Sequence, residues 1–312
     1  MIFNTWIRHG GGLLSVAVAL LAAQPALAQI RMQAPPGATQ PSPALNDEFD
    51  GDALSSDWKF FHAENGWPNK IKAIDVGKTT KGTLHLEPHD SAWVRDLNAP
   101  YLYKTLVGDF DVRARVRAKS ATGDIPAGTW SLGGLMARVP NGMTEANWQP
   151  NRENWHFITT GVGFEAGKPM TETKGTYNSY SSLKLRPYQS GWVELRLVRV
   201  GMALFALARP DDKSPWVVRD RFYRMEGSPF MQVGLIAYTT SANAKPAPEN
   251  AAVMNREVQK DLPVDMALEV DWVRFAPARP APINDWYGQV NGSNTLTDPN
   301  LTEAEILAAV GD

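Results

Sequence analysis

Alternation with a period of two constrains this chain more than any other feature. Across residues 110–117 the apolar side chains of Phe110, Val112, Ala114 and Val116 interleave with Asp111, Arg113, Arg115 and Arg117. Successive side chains of a β-strand point to opposite faces, so the run predicts a half-buried antiparallel strand. Residues 82–88 repeat the pattern, with Leu84 and Leu86 on one face and His85 and Glu87 on the other. Further strand-sized runs are 132–139, 155–164, 192–200, 203–208, 216–219, 231–239 and 266–275. Gly and Pro punctuate them, and no internal repeat is present. Short strands between turn signals predict an all-β, two-sheet antiparallel sandwich.

The ends of the chain read differently. Residues 1–28 have the pattern of a signal peptide: Arg8, an apolar stretch over 13–23, and small residues at Ala26-Leu27-Ala28. That stretch is shorter than the roughly 20 residues a spanning helix needs. The expectation is an exported protein, periplasmic or extracellular, with no transmembrane span after cleavage. Residues 29–43 form a Pro-rich linker, 44–277 the sandwich, and 278–312 a tail with a short helix. In that tail Thr302 and Glu305 have capping-box spacing ahead of Ile306-Leu307-Ala308-Ala309 and Gly311. So short a helix is marginal alone, so the tail docks or frays.

Composition removes several classes. The chain has no cysteine, which excludes a disulfide and a lipidated cysteine; the core or a bound ion must hold it together. The formal charge is −2, with no dominant basic stripe, so nucleic acid is not an expected partner. No Gly-x-Ser-x-Gly elbow, phosphate loop or dinucleotide fingerprint is present. Segments 140–154 and 242–263 lack periodicity; long loops often line a site, although the second has the composition of a plain surface excursion.

Four pieces of the chain, in order, carry a resemblance. They are Asp47-Glu48-Phe49-Asp50-Gly51 with Leu54 and Trp58; Ala99-Pro100-Tyr101-Leu102-Tyr103-Lys104 running into Gly108-Asp109-Phe110; Gly133-Gly134-Leu135-Met136-Ala137-Arg138; and Trp192-Val193-Glu194-Leu195-Arg196-Leu197-Val198-Arg199 with Gly201. Over about residues 44–275 the chain resembles the concanavalin A-like lectins and glucanases, in particular their bacterial families of unknown function. The resemblance implies a jelly roll of two curved sheets, first and last strands paired, with a concave face that often holds sugar. It also implies a possible structural Ca2+ between those strands, with Asp271 and carbonyls near Glu48 and Gly82 as ligands. The alternative for Asp271 is a plain ion pair.

Candidate chemistry follows the same lines. Glu269-Val270-Asp271 resembles the start of the catalytic strand of family 16 glycoside hydrolases, but Arg274 stands where a proton donor is needed. His85 and Glu87 share a strand face, yet a zinc site wants three or four ligands, so a solvated face is the plainer reading. Trp67, Trp93 and Trp148 fall in or beside loops, where indoles stack on sugar rings; Asn147, Glu165 and Asn178 offer hydroxyl partners. Core packing competes with that reading for each indole. Trp155-His156-Phe157 and Lys174-Gly175-Thr176-Tyr177-Asn178 resemble parts of jelly-roll polysaccharide lyases, which would make His156 or Tyr177 the proton acceptor and Arg138 the neutraliser of a uronate enolate. The leading expectation is an exported, non-catalytic protein that binds a poly- or oligosaccharide. A lyase or hydrolase, and an envelope interaction module, are the alternatives.

Overall fold

A strand face that is apolar at every second residue needs an apolar partner, and two sheets supply it to each other. The structure, a computed structural model, describes residues 34–223, 228–241, 247–283 and 286–312. The signal-peptide reading and the start of the linker lie outside the described residues. In chain order come β1 (Lys59–Phe60), α1 (Phe61–Asn65), β2 (Ile71–Val76), β3 (Leu84–Pro88), β4 (Tyr101–Val107), β5 (Phe110–Lys119) and β6 (Ser131–Arg138). There follow β7 (Trp155–Val162), β8 (Pro169–Tyr177), β9 (Tyr180–Pro187), β10 (Val193–Val200), β11 (Ala203–Arg209), β12 (Val217–Tyr223) and β13 (Phe230–Tyr238). The chain closes through α2 (Ala251–Met254), β14 (Ala267–Ala276), α3 (Trp286–Asn291) and α4 (Glu303–Val310).

These strands form two seven-stranded sheets, β1-β4-β13-β6-β7-β8-β9 and β12-β11-β10-β5-β14-β3-β2, the two-sheet sandwich that the alternation predicts and of the jelly-roll type that the resemblance implies. Between them Leu84, Leu86, Val112, Val116 and Leu268 meet Leu102, Leu135, Ile158, Val233 and Leu235, all at 0% exposure. Each such side chain is worth about 1.5–3 kcal/mol on burial. The opening and closing segments lie side by side: the Asp47 N–H donates to the Val273 carbonyl at 2.9 Å, and the Val273 N–H to Asp47 at 2.8 Å. Trp58 donates its indole N–H to the Asp47 carboxylate at 2.8 Å and sits between the rings of Phe49 and Phe275.

β14 alternates with one interruption. Leu268, Val270, Val273 and Phe275 face the core, a spacing of two, three and two. The extra residue is Asp271: Val270 pairs with Val116 and Trp272 with Arg115, so Asp271 forms a β-bulge. Glu269, Asp271, Trp272 and Arg274 are thereby left to the outer side.

Several segments differ from expectation, among them β2 and β4, which lie outside the predicted strand runs. The described end of the Pro-rich linker is tied to β4, where the Thr39 N–H reaches the Thr105 carbonyl at 3.0 Å and the Val107 N–H reaches Thr39 at 2.9 Å. β8 and β9, absent from the predicted strands, extend the first sheet beyond β7.

The tail docks. Leu296, Ile306 and Val310 pack on Val198, Val200, Phe205, Leu207 and Trp216, covering the outer face of β10 and β11. α4 begins with the expected capping box of Thr302 and Glu305. Its far end is held by Arg196, which is fully buried and donates to the carbonyls of Gly311 (2.6 Å) and Val310 (3.0 Å). The same guanidinium binds Asp111 through two bonds of 2.8 and 2.7 Å. The β10–β11 hairpin turns at Gly201, whose φ of +57° suits glycine. There the Met202 N–H donates to the Gly292 carbonyl at 2.9 Å, a second tie to the tail.

Removing one partner of a buried ion pair leaves the other uncompensated, at a cost of about 3–5 kcal/mol. Asp111→Ala is therefore expected to lower stability by about that amount and to free the tail. Chemical denaturation and limited proteolysis within 278–312 check both effects.

Candidate functional site

The outer face of the first sheet is filled by the protein itself. Tyr101, Tyr103, Met136, Trp155, Phe157 and Tyr238 make it apolar, and the segment that follows β3 lays Trp93 on top. Trp93 is 1% exposed, with ring centroids 5.6 Å from Phe61, 6.0 Å from Tyr101 and 5.9 Å from Trp155. The segment is fastened by polar bonds: Lys174 Nζ donates to the Trp93 carbonyl at 3.0 Å, Lys70 Nζ to the Asn98 carbonyl at 3.0 Å, and the Asn98 N–H to Asn255 Oδ1 at 3.0 Å. Burial lowers the Lys70 pKa to about 8. The cavity left beside Trp67, Trp148 and Arg138 is about 10 Å3, room for about one water. Trp93 and Trp67, expected to stack on sugar, are core residues here; the competing packing reading holds for both.

The residues assigned to acid–base chemistry do not converge. Arg138 pairs across the ladder with Trp155, and Ala137 with His156, so Arg138 and His156 occupy opposite faces. Arg138 is buried against Glu153 through two bonds of 2.7 Å and against Gln232 at 2.7 Å. His156 turns toward the second sheet, its ring 4.4 Å from Phe222, and burial pushes its pKa down to about 4. Tyr177 is 44% exposed at the end of β8, beside the left-handed pair Asn178 and Ser179. Asn178 donates its backbone N–H to Asn154 Oδ1 at 2.9 Å. Asn147 caps its own loop by accepting from the Thr144 N–H at 2.6 Å, and Glu165 pairs with Lys168 at 2.5 Å. None of these three lines a shared site with Trp148.

Of the ligands suggested for calcium, one is a side chain, the Asp271 carboxylate, and the others are carbonyls near Glu48 and Gly82. Asp271 Oδ2 binds Arg115 Nη1 at 2.6 Å, the plain ion pair that was the alternative, and the Glu48 carboxylate takes two bonds of 2.8 Å from Arg274. Gly82 lies beside Asp50, two residues on from Glu48. Among the described residues no group of three or more His, Asp or Glu is placed to hold a metal.

A polar surface lies on the outer face of the second sheet, over β5, β14, β3 and β2 and beyond the docked tail. Cross-strand register sets Arg117, Glu269, His85 and Asp75 in one row. Glu269 is buried among Arg117 Nε at 2.6 Å, Thr80 Oγ1 at 3.0 Å and His85 Nδ1 at 3.9 Å. Burial alone would raise its pKa, but the His85, Arg117 and Thr80 contacts outweigh burial and hold it at about 2. Glu269 and Glu87 together raise the His85 pKa, Glu87 through a 3.0 Å bond to Nε2 and Glu269 as a nearby charge.

Farther along the same strands is a cavity of about 480 Å3 lined by Arg113, Arg115, Arg209, Arg274, Glu194, Asp211, Asp212 and Trp272. Its guanidinium groups lie against indoles: Arg274 is 4.2 Å from Trp272, Arg209 4.4 Å from Trp216 and Arg115 5.0 Å from Trp192. Each also meets a carboxylate, Arg113 on Asp111 at 2.8 Å and Arg209 on Glu194 at 2.7 Å. Sequence reasoning proposed none of these as binding residues; Trp272 is buried, at 9% exposure, but on the outer side of β14. The signal was present in the two-three-two spacing of β14, which turns Trp272 and Arg274 outward.

No protein-family model and no curated protein matches the chain. Among solved structures, a functionally unknown protein from Saccharomyces cerevisiae is 15% identical with a TM-score of 0.47, over 71% of this chain and 97% of that one. The GH43 protein BlXynB of Bacillus licheniformis is 11% identical with a TM-score of 0.48, over 74% of this chain and 39% of that one. An immunostimulatory antigen and pseudo β-1,3-glucanase of Mycobacterium tuberculosis is 14% identical with a TM-score of 0.43, over 75% of this chain and 98% of that one.

Two outcomes follow from this geometry. Trp93→Ala empties a large buried site and is expected to cost about 3–5 kcal/mol, read by chemical denaturation. Stability also depends on pH in a definite direction. The raised His85 pKa contributes stability that is complete below its ordinary value of 6.5 and lost as pH rises through the folded value. The Glu269 contribution is present above 4.5 and lost as pH falls toward about 2. Melting temperatures across pH are expected to show both limbs, with His85→Asn removing the one on the alkaline side.

Proposed function

We propose that this protein is an exported, non-catalytic carbohydrate-binding sandwich that holds a neutral glycan on the outer face of its second sheet. The observation that carries this reading is the cavity of about 480 Å3 in which four guanidinium groups alternate with Glu194, Asp211 and Asp212 beside Trp272. A sugar hydroxyl both donates and accepts, whereas a guanidinium only donates and a carboxylate only accepts. Interleaved donors and acceptors therefore suit a polyol better than a simple anion. The paired charges nearly cancel, which removes the selective pull on a polyanion.

Preorganisation supports the same reading. A guanidinium held over an indole and fixed by a carboxylate has little freedom left to lose when a ligand arrives. Arg115 gives one N–H to Asp271 and Arg274 gives two to Glu48, so each retains further donors of its five. The separation of Arg138, His156 and Tyr177 favours binding over lyase chemistry. Export rests on the leader pattern of residues 1–28.

A panel of neutral and acidic polysaccharides tests the proposal through intrinsic tryptophan fluorescence and affinity electrophoresis. A neutral glycan is expected to perturb the emission and retard the protein. Loss of charge-assisted bonds costs about 1.5–3 kcal/mol, so Arg209→Ala is expected to weaken that binding about 10- to 100-fold. If no glycan shifts either signal at millimolar concentration, the reading fails.

A further inference from the structure

A second cavity, of about 490 Å3, opens on the same sheet face and is lined by Lys72, Thr79, His85, Glu87, Lys119 and Ser120 among others. β5 serves both cavities, giving Arg113 and Arg115 to one and Lys119 to the other. Four residues of strand separate Arg115 from Lys119, about 13–14 Å at roughly 3.4 Å per residue. β14 runs antiparallel beside it, with Trp272 and Arg274 at one end and Ala267 at the other.

The stretch between the cavities is of the same make. Arg117 sits 4.8 Å from the Trp192 ring, the indole that also carries Arg115, and its guanidinium is tied down by Glu269. The second cavity repeats the mixture of donors and acceptors: Lys72 Nζ meets Glu87 at 2.9 Å, His85 Nε2 meets the other Glu87 oxygen at 3.0 Å, and the Thr79 and Ser120 hydroxyls stand beside them. Toward β10 and β11 the docked tail closes the face, because Ile306 and Val310 pack in the cluster that contains Trp216. A ligand that leaves the first cavity along the sheet is thus directed along β5 and β14, toward the second.

We propose that the two cavities are the ends of one binding track, and that the ligand is an extended oligosaccharide laid along β5 and β14 rather than a single terminal sugar. This rests on the glycan-binding reading above and specifies the length and direction of its ligand. A monosaccharide occupies part of one cavity; only a chain several units long reaches Lys119 and Lys72 while still held by Arg115 and Arg209. The outward side chains of a strand are evenly spaced along a line, which suits a ligand that is itself a regular extended polymer.

The test is calorimetric titration of the full-length protein with cello-, laminari- and xylo-oligosaccharides of one to six units. In the series that binds, affinity is expected to rise more than tenfold between the disaccharide and the hexasaccharide, beyond the several-fold gain that extra binding registers give. Lys119→Ala and Lys72→Ala are each expected to return the hexasaccharide toward disaccharide affinity, leave the disaccharide unchanged and keep the wild-type melting temperature. Arg209→Ala is expected to weaken every length. If affinity is flat with length, or both lysine variants bind the hexasaccharide normally while Arg209→Ala weakens it, the track is wrong and the single-cavity reading stands. If no oligosaccharide of any length binds, both proposals fall.

Discussion

An antiparallel strand buries every second side chain, and β14 keeps that rule over ten residues only by inserting Asp271 as an extra one. Without the bulge, Trp272 and Arg274 would follow Leu268 and Val270 into the core, and Val273 and Phe275 would face water. A charged guanidinium and an indole N–H in that interior would each cost several kcal/mol without partners. The bulge is therefore forced by composition. It also sets Asp271 and Trp272 beside each other on the outer face, where Asp271 fixes Arg115 and Trp272 carries Arg274. The polar surface of the second sheet inherits its arrangement from that single phase change.

The two sheets bury their outer faces by different means. On the first sheet the Trp93 segment brings aromatic rings onto Tyr101 and Trp155, and the charged residues beneath it are matched internally, Lys174 with Glu172 at 2.8 Å and Arg138 with Glu153 at 2.7 Å. Buried pairs of this kind add little net stability over an apolar substitute, but each is costly to break singly. They hold the covering segment in one register. A face so filled is a poor place for a soluble ligand, which would have to displace Trp93 and strip Lys174 of its carbonyl partner.

Much of the fold was legible because its strands alternate. The runs at β5 and β3 gave their faces correctly, those at β10 and β11 gave the strands, and the capping box at Thr302 and Glu305 marked the start of α4. β8 escaped notice for a physical reason. Thr171, Glu172, Thr173 and Lys174 are all polar and show no apolar alternation, yet all four are buried, because the covering segment on one side and Asp220 of β12 on the other supply their partners. Those contacts are 47 to 81 residues away in the chain, beyond what local pattern can register. The candidate site failed to appear for a related cause. Loop indoles such as Trp67 and Trp93 looked available, and long-range packing buries both, whereas Trp272 is buried on the outer side of its strand, where the bulge at Asp271 places it.

The tail completes the argument by deciding which part of the second sheet stays open. Val198, Phe205, Leu207 and Trp216 make the outer face of β10 and β11 apolar, and an uncovered apolar patch on a sheet invites association. In a chain without cysteine no disulfide can hold a cover in place, so the task falls to Arg196, which joins Asp111 in the sheet to the last carbonyls of α4. Trp216 lies at the boundary, in the cluster with Ile306 and Val310 and also beside Arg209 and Arg113, at 4.4 and 5.8 Å. The platform under two of the cavity's guanidinium groups is therefore the same indole that the tail packs against. Docking of the tail and the shape of the polar cavity are set by one side chain, so the apolar half of the face stabilises the geometry of the polar half.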